Sequence, residues 1–396
     1  MFQDAGLNAF QISTLIVIWA VTVFLLQVPS GALADKFSRK YILIFAQLMK
    51  MAGYLTWFLF PSYTGFLAGF VLWGVQGAFM SGTFEAILYD ELNKFNKKEE
   101  YTKIYGRMRT FDFIGLIAAS ALATPIFTLG GYPFVLIGSS TLLLVSIAFL
   151  ATLPNVKNEE STHEKEYFHF LKEGAKIVIH TPILLRLIIF LALVMSLSGP
   201  INDYYGIFIR DAGISTAGIG IFMAAAGTAD VAGSLLAHRY KKYKNSIFYL
   251  LFIVTGALLL ASAFLFNYLG LALLLLYGFF NRITKTVFEG KLQDEIPPGI
   301  RATVSSVYGF TMEIGVITFT LMFGYVAQGR QIQSGFYLIS SIMIALGLIY
   351  FIQRIVRVNI LHIRDHHLTQ KVLIRSGIKR DNVEIDVNIP QDIHLP

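Results

Sequence analysis

Gly31-Ala32-Leu33-Ala34-Asp35-Lys36-Phe37-Ser38-Arg39-Lys40 is a short charged turn between two long apolar runs, one ending near Leu33 and the next beginning at Tyr41. Lys and Arg in short loops stay on the cytoplasmic side of a membrane. Lys36, Arg39 and Lys40 therefore orient the chain as well as interrupt it. The runs on either side are near the roughly 20 residues that cross a bilayer as a helix.

The whole composition agrees with that local reading. Of 396 residues, 55% are hydrophobic and 14% are charged, with a mean hydropathy of +0.62. A soluble domain carries roughly 25% charged residues. The fold class is an all-α polytopic membrane protein, because lipid leaves only helices or a closed barrel to satisfy the backbone. The runs are too long and too uniformly apolar for barrel strands. With no cysteine, disulfides, thiol catalysis and cysteine metal sites are excluded. The net charge of +7 sits in alternate loops, the pattern of membrane orientation and not of a nucleic-acid surface.

Outward from the turn, apolar segments are expected at about 15–33, 41–60, 65–89, 110–129 and 132–153, then at about 182–208, 213–237, 246–267, 269–288, 302–327 and 335–357. This makes five and six, about 11 transmembrane helices. Lys and Arg fill 36–40, 94–109, 157–176, 239–244, 282–301 and the tail, which places these cytoplasmically and residues 1–14 outside. The expected division is an N-terminal bundle (1–153), a cytoplasmic linker with an amphipathic helix around Tyr167–Lys172 (154–181), a C-terminal bundle (182–357) and a cytoplasmic tail (358–396). In the tail, His362, His366 and His367 lack the spacing of a ligand set and read as solvated, so no metal site and no cofactor are expected.

The two sets repeat. Phe84-Glu85 with Leu88, Asp90 and Glu91 matches Phe288-Glu289 with Leu292, Asp294 and Glu295 at an offset of 204, and Gly31-Ala32-Leu33 matches Gly233-Ser234-Leu235 at 202. Asp4-Ala5-Gly6 matches Asp211-Ala212-Gly213 at 207. Halves in the same orientation, related by an axis along the membrane normal, account for this register. The segment before Asp211 then has no counterpart before Asp4. The reading is six plus six with the first helix absent, and the alternative is a natural eleven-helix chain.

The order Gly-x-x-x-Asp-Lys-x-x-Arg-Lys resembles the signature loop of the major facilitator superfamily, with Ser38 standing where that family usually has Gly. The resemblance spans about 4–357 and implies two helical bundles that expose a central site alternately to either side. It further implies a gating latch of Gly31, Asp35, Arg39 and Asp90, in which Asp35 approaches the start of the eleventh family helix and Arg39 pairs with Asp90. Charged hydrogen bonds that break when the halves rock make such a latch bistable. Two features depart from proton antiporters of that family: Trp73 replaces the Arg found three residues before Gln76-Gly77, and Thr124-Pro125 with the later Gly130-Gly131 only partly matches a drug-antiporter run. Arg301-Ala302-Thr303 after Pro297-Pro298 is similar to the eleventh-helix start of many efflux pumps.

Ionisable residues within apolar segments are functional candidates by default. Lys50, ten residues past Lys40, lies about 15 Å into the membrane, and Glu313, twelve past Arg301, about 18 Å. Asp112, Asp230, Asn281 and Arg282 complete the candidate coupling or substrate path, with Glu313 first and Asp112 second. The competing reading of each is structural pairing, such as Lys285 with Glu289 at a spacing of four. No phosphate-cradling loop and no nucleophile elbow is present, so neither direct ATP use nor enzymatic chemistry is expected. The expected activity is secondary export of a small amphipathic or drug-like compound by proton antiport, in a cell membrane, most naturally a bacterial plasma membrane. The alternatives are a dedicated sugar, amino acid or peptide carrier, and a transport-inactive membrane protein. Expected partners are the lipid bilayer, the small-molecule substrate and protons, without nucleic acid and without a required oligomer.

Overall fold

The computed structural model describes residues 1–81, 83–153, 167–296 and 300–376. Among them every regular element is helical. Helix α1 (Ala9–Lys36) begins six residues before the expected apolar run because Asn8 builds a capping box. Its side chain accepts the Gln11 N–H at 2.9 Å, and the Gln11 side chain accepts the Asn8 N–H at 3.0 Å. At the other end, Phe37 is extended and its N–H closes on the Leu33 carbonyl at 2.8 Å. Helix α2 (Arg39–Leu59) starts two residues later. The charged turn is thus mostly helical, with Phe37 and Ser38 alone between helices. Ser38 has φ −59°, so its replacement of Gly carries no backbone penalty.

The expected segment 65–89 is not one helix. Helix α3 (Tyr63–Met80) is capped by the Ser62 side chain and stops at Ser81, which is extended, and α4 (Thr83–Lys94) is a separate element of 12 residues. Helix α5 (Tyr101–Ala151) is 51 residues long but breaks where the sequence placed a turn, at Gly130 and Gly131. Gly131 has φ +66° and ψ −153°, a region essentially reserved for glycine. Its far end is capped by Lys40, whose Nζ donates to the carbonyls of Ala151 and Leu153 at 2.6 and 2.9 Å.

The remaining helices are α6 (Tyr167–His180), α7 (Pro182–Asp211), α8 (Ile219–Tyr240), α9 (Asn245–Leu265), α10 (Tyr268–Glu295), α11 (Arg301–Ala327) and α12 (Gln333–Ser376). Pro182 opens α7, where its missing N–H is harmless. Helix α12 runs on through the first part of the expected tail to Ser376; the side chains of the three tail histidines lie outside the described set. Ten helices are long and apolar enough to cross a membrane among the described residues. The break in α5 leaves two legs, each long enough to span, and so about 11 crossings.

Packing is tightest where glycine lets backbones meet. Before residue 154, α3 is the hub, touching α1 and α2, while α5 lies on α2. Gly74 accepts Thr22 and Trp19 of α1 against α3. After residue 181, α10 packs on α8, α9 and α7, and α12 lies along α9. Gly233 rests on the Phe279 carbonyl, and Gly256 and Gly347 bring α9 and α12 together. Phe190 is fully enclosed by Tyr249, Phe252, Phe288 and Tyr350, with ring centroids 4.5–5.5 Å away. The two sets of crossings meet along two seams, α1 on α11 and α5 on α8. At the second, Gly220 lies directly against the Ser120 carbonyl and Thr124. The apolar side chains of α5 and α8 that point away from these seams are exposed, as lipid-facing surfaces must be.

Candidate functional site

The first seam encloses a cavity of about 250 Å³. Three helical faces converge on it. Ile16, Val17 and Ala20 come from α1, Gly199, Asn202 and Asp203 from α7, and Glu313, Val316, Ile317 and Thr320 from α11. The spacings of three and four are those of one helix face in each case. The α7–α11 side is fixed by Ser196, whose Oγ donates to the Met312 carbonyl at 2.9 Å, and by the close approach of Gly199 to Val316, where an added Cβ would lie 3.2 Å from Cγ1. That contact sets Glu313 at the cavity wall.

Toward the N-terminus of α1 the same seam is closed by a buried hydrogen-bond network. Ser13 Oγ lies 2.8 Å from Tyr204 Oη and donates to the Thr320 carbonyl at 2.7 Å. Tyr204 Oη also reaches the Ala9 carbonyl, and its ring stacks on Phe323 with centroids 4.4 Å apart. At the rim Arg210 donates to Asp4 at 2.8 Å and to Gln3. Burial works to raise the Asp4 carboxyl, but hydrogen bonds from the N-terminal ammonium and Tyr132, with the charge of Arg210, hold it below the usual carboxylate range. Every described hydrogen bond and ion pair between the two sets of crossings lies toward this face. Deeper in, a ring contact between Phe24 and Phe310 joins them at 5.7 Å.

The residues singled out by sequence fall in five places. Glu313 lines the cavity. Asp230, Asn281 and Arg282 belong to a polar patch between α8 and α10. Asn281 donates to Ser198 Oγ at 2.9 Å, and a Cβ at Gly278 would lie 3.4 Å from Asp230 Oδ1 and 3.7 Å from Tyr205 Oη. The positive charges of Arg282 and Lys285 act on both Asp230 and Glu289, without an ion pair closing within 4.0 Å among these four. Lys50 is half-buried, its Nζ 5.2 Å from the Trp73 ring centroid, so a cation stands over the very position where Arg was expected. Asp112 is exposed on α5 and does not line the cavity. Of the latch, Gly31 has open space around it and Arg39 begins α2. The side chains of Asp35 and Asp90 lie outside the described residues.

Sequence reasoning passed over Asp203 and Asn202, which share the cavity with Glu313. Both fall near the end of the segment expected at 182–208, and α7 continues unbroken through Pro200 to Asp211, which sets Asp203 eight residues, about 12 Å, inside its end.

A bundle of about 11 membrane-crossing helices in two sets, joined by two seams with a cavity at the first, is the architecture of a secondary transporter. The sequence profile of the Major Facilitator Superfamily matches residues 1–320, and the chain belongs to that family. No curated protein matches it. Among solved structures it is similar to the nucleoside transporter NupG, at 14% identity and a TM-score of 0.71, over 88% of this chain and 91% of that one. It is also similar to a D-xylose-proton symporter, at 13% identity and a TM-score of 0.67, over 88% and 89%. A third is a bacterial homologue of the iron transporter ferroportin in an inward-facing state, at 14% identity and 0.63, over 88% and 91%. These likenesses concern the fold.

Proposed function

We propose that the protein moves a small amphipathic solute across the membrane by alternating access, with residues 1–153 and 182–357 rocking as two bundles about the seams α1–α11 and α5–α8. The observation that carries this reading is the 250 Å³ cavity at the first seam, walled by both bundles and holding Glu313. Its contacts are concentrated toward the N-terminus of α1, the side the charge pattern puts outside. In this conformation the outer side is shut, and the opposing motion would break the Ser13–Tyr204 and Asp4–Arg210 contacts. Glu313 is the proposed coupling acid: a carboxyl at that depth can take a proton from one side and release it to the other. Export by proton antiport remains the leading direction, on the strength of the Arg301-Ala302-Thr303 start of α11.

The likeness to a nucleoside transporter and to a D-xylose-proton symporter supports a second reading, a dedicated metabolite carrier. A fluorescent lipophilic cation loaded into pump-deficient cells separates the two. Proton-driven export gives loss of dye that a protonophore stops and that Glu313→Gln reduces at least tenfold. Protein present in the membrane without dye loss removes the export reading and leaves the metabolite carrier.

A further inference from the structure

The cavity between α1, α7 and α11 is unbalanced in charge. It holds two carboxyl groups, Asp203 and Glu313, and no cation among its lining residues. Neither has a hydrogen-bond or ion-pair partner among the described residues, whereas Arg210, one face further along α7, is taken up by Asp4 and Asp211. Carboxyl groups left uncompensated within a membrane are costly, and their usual partner is another helix or a ligand. Here no other helix supplies one.

A third polar residue lines the same space. Thr320 is fully buried, and its Oγ1 has no hydrogen-bond partner. It lies seven residues, two turns, beyond Glu313 on the cavity face of α11. Its carbonyl is already bound by Ser13, so the hydroxyl is the atom in want of a partner. A buried polar atom without a partner costs free energy that a bound donor or acceptor would recover.

We infer that this cavity is a binding site for an organic ammonium ion, its charged head on the wall that carries Asp203 and Glu313 and its apolar body against Ile16, Val17, Val316 and Ile317. The ammonium supplies the missing positive charge and up to three donors, enough for a carboxylate and the Asn202 side chain. The volume of about 250 Å³ is several times the roughly 30 Å³ share of one water. Aliphatic walls fit a carbon skeleton and do not fit an inorganic ion, which needs a close shell of oxygens. Trp19 on the same wall adds an aromatic surface suited to a cationic head or a ring. This assignment rests on the reading of that cavity as the solute site and narrows its chemistry.

The test is calorimetric titration of the purified chain in lipid nanodiscs with three compounds of one carbon skeleton: 3-phenylpropylammonium, 3-phenylpropanol and 3-phenylpropanoate. The ammonium compound is expected to bind at least tenfold more tightly than the other two. Asp203→Asn and Glu313→Gln should each weaken it about tenfold or more, the usual weight of a charge-assisted contact. Asp294→Asn, which removes an exposed pair with Lys241 elsewhere, should leave it unchanged. Thermal unfolding of each variant checks that the fold is intact, and Thr320→Val supplies a charge-neutral variant of the same wall. Equal binding of the three compounds overturns the inference, as does ammonium binding that survives both acid substitutions. Displacement by sodium with no organic selectivity assigns the site to an inorganic ion and overturns it too. Counterflow in proteoliposomes is read separately: binding that needs both acids, without counterflow, keeps the ammonium site and removes the transport reading.

Discussion

Tyr204 is the residue on which the closed seam turns. Its fully buried hydroxyl meets Ser13 and the Ala9 carbonyl of α1, while its ring is stacked on Phe323 of α11. Replacing it with Phe keeps the stacking surface but removes the contacts with Ser13 and the Ala9 carbonyl, leaving Ser13 on the Thr320 carbonyl. Tyr204→Phe is therefore expected to cost about 0.5–1.5 kcal/mol, read as a lower unfolding midpoint in detergent against unchanged helix content. Tyr204→Leu should cost more, because the ring contact goes as well. At this scale the sequence was half legible. Glu313 could be placed by counting from Arg301, since depth along a helix is simple arithmetic. Asp203 was passed over, because its place on the cavity wall depends on which face of α7 meets α11, and the order of residues does not give that. The hydroxyl of Ser13 carried no signal at all: its partners lie 191 and 307 residues away.

Among the elements, α8 shows why a small residue can matter more than a charged one. The recurrence Gly220, Ala224, Thr228, Ala232 is visible in the sequence as a packing face, but not which helix it meets. The structure puts Gly220 against the backbone of α5 at Ser120, so any Cβ there meets a carbonyl that cannot swing aside. Gly220→Val is expected to push α8 off α5 and destabilise the chain by about 1–3 kcal/mol. Gly227→Ala, whose Cβ would find Ile117 at an ordinary 3.6 Å, should be tolerated. Comparing the two unfolding midpoints checks the claim; equal effects would mean that the seam is loose. Element boundaries followed the same divide. The break at Gly130-Gly131 was legible because paired glycines end helices and Gly131 needs a positive φ. The break at Ser81 was not, since apolar residues continue on both sides and hydropathy alone does not register a single extended residue.

For the whole molecule, the repeat at offsets of 202–207 made the two-bundle division readable, while the placement of contacts between bundles required coordinates. Parallel repeats dictate that two seams exist, but not at which end each is closed. The described hydrogen bonds and ion pairs between them all fall near the start of α1 and the end of α7, so rocking has a definite first step: separation of Asp4 from Arg210 and of Ser13 from Tyr204. The chain contains no cysteine, so thiols can be introduced there without background. In a chain carrying Asp4→Cys and Arg210→Cys, a short bifunctional methanethiosulfonate should tie the two ends together. Solute counterflow in proteoliposomes is then expected to fall at least tenfold and to return when the bridge is reduced. The single variants treated with the same reagent should keep their rates, because an exposed pair of this kind is worth under about 1 kcal/mol and its loss alone does not stop the motion. A tied chain that still carries solute at the untied rate would mean that this end never opens, and that the two bundles do not rock about the seams described.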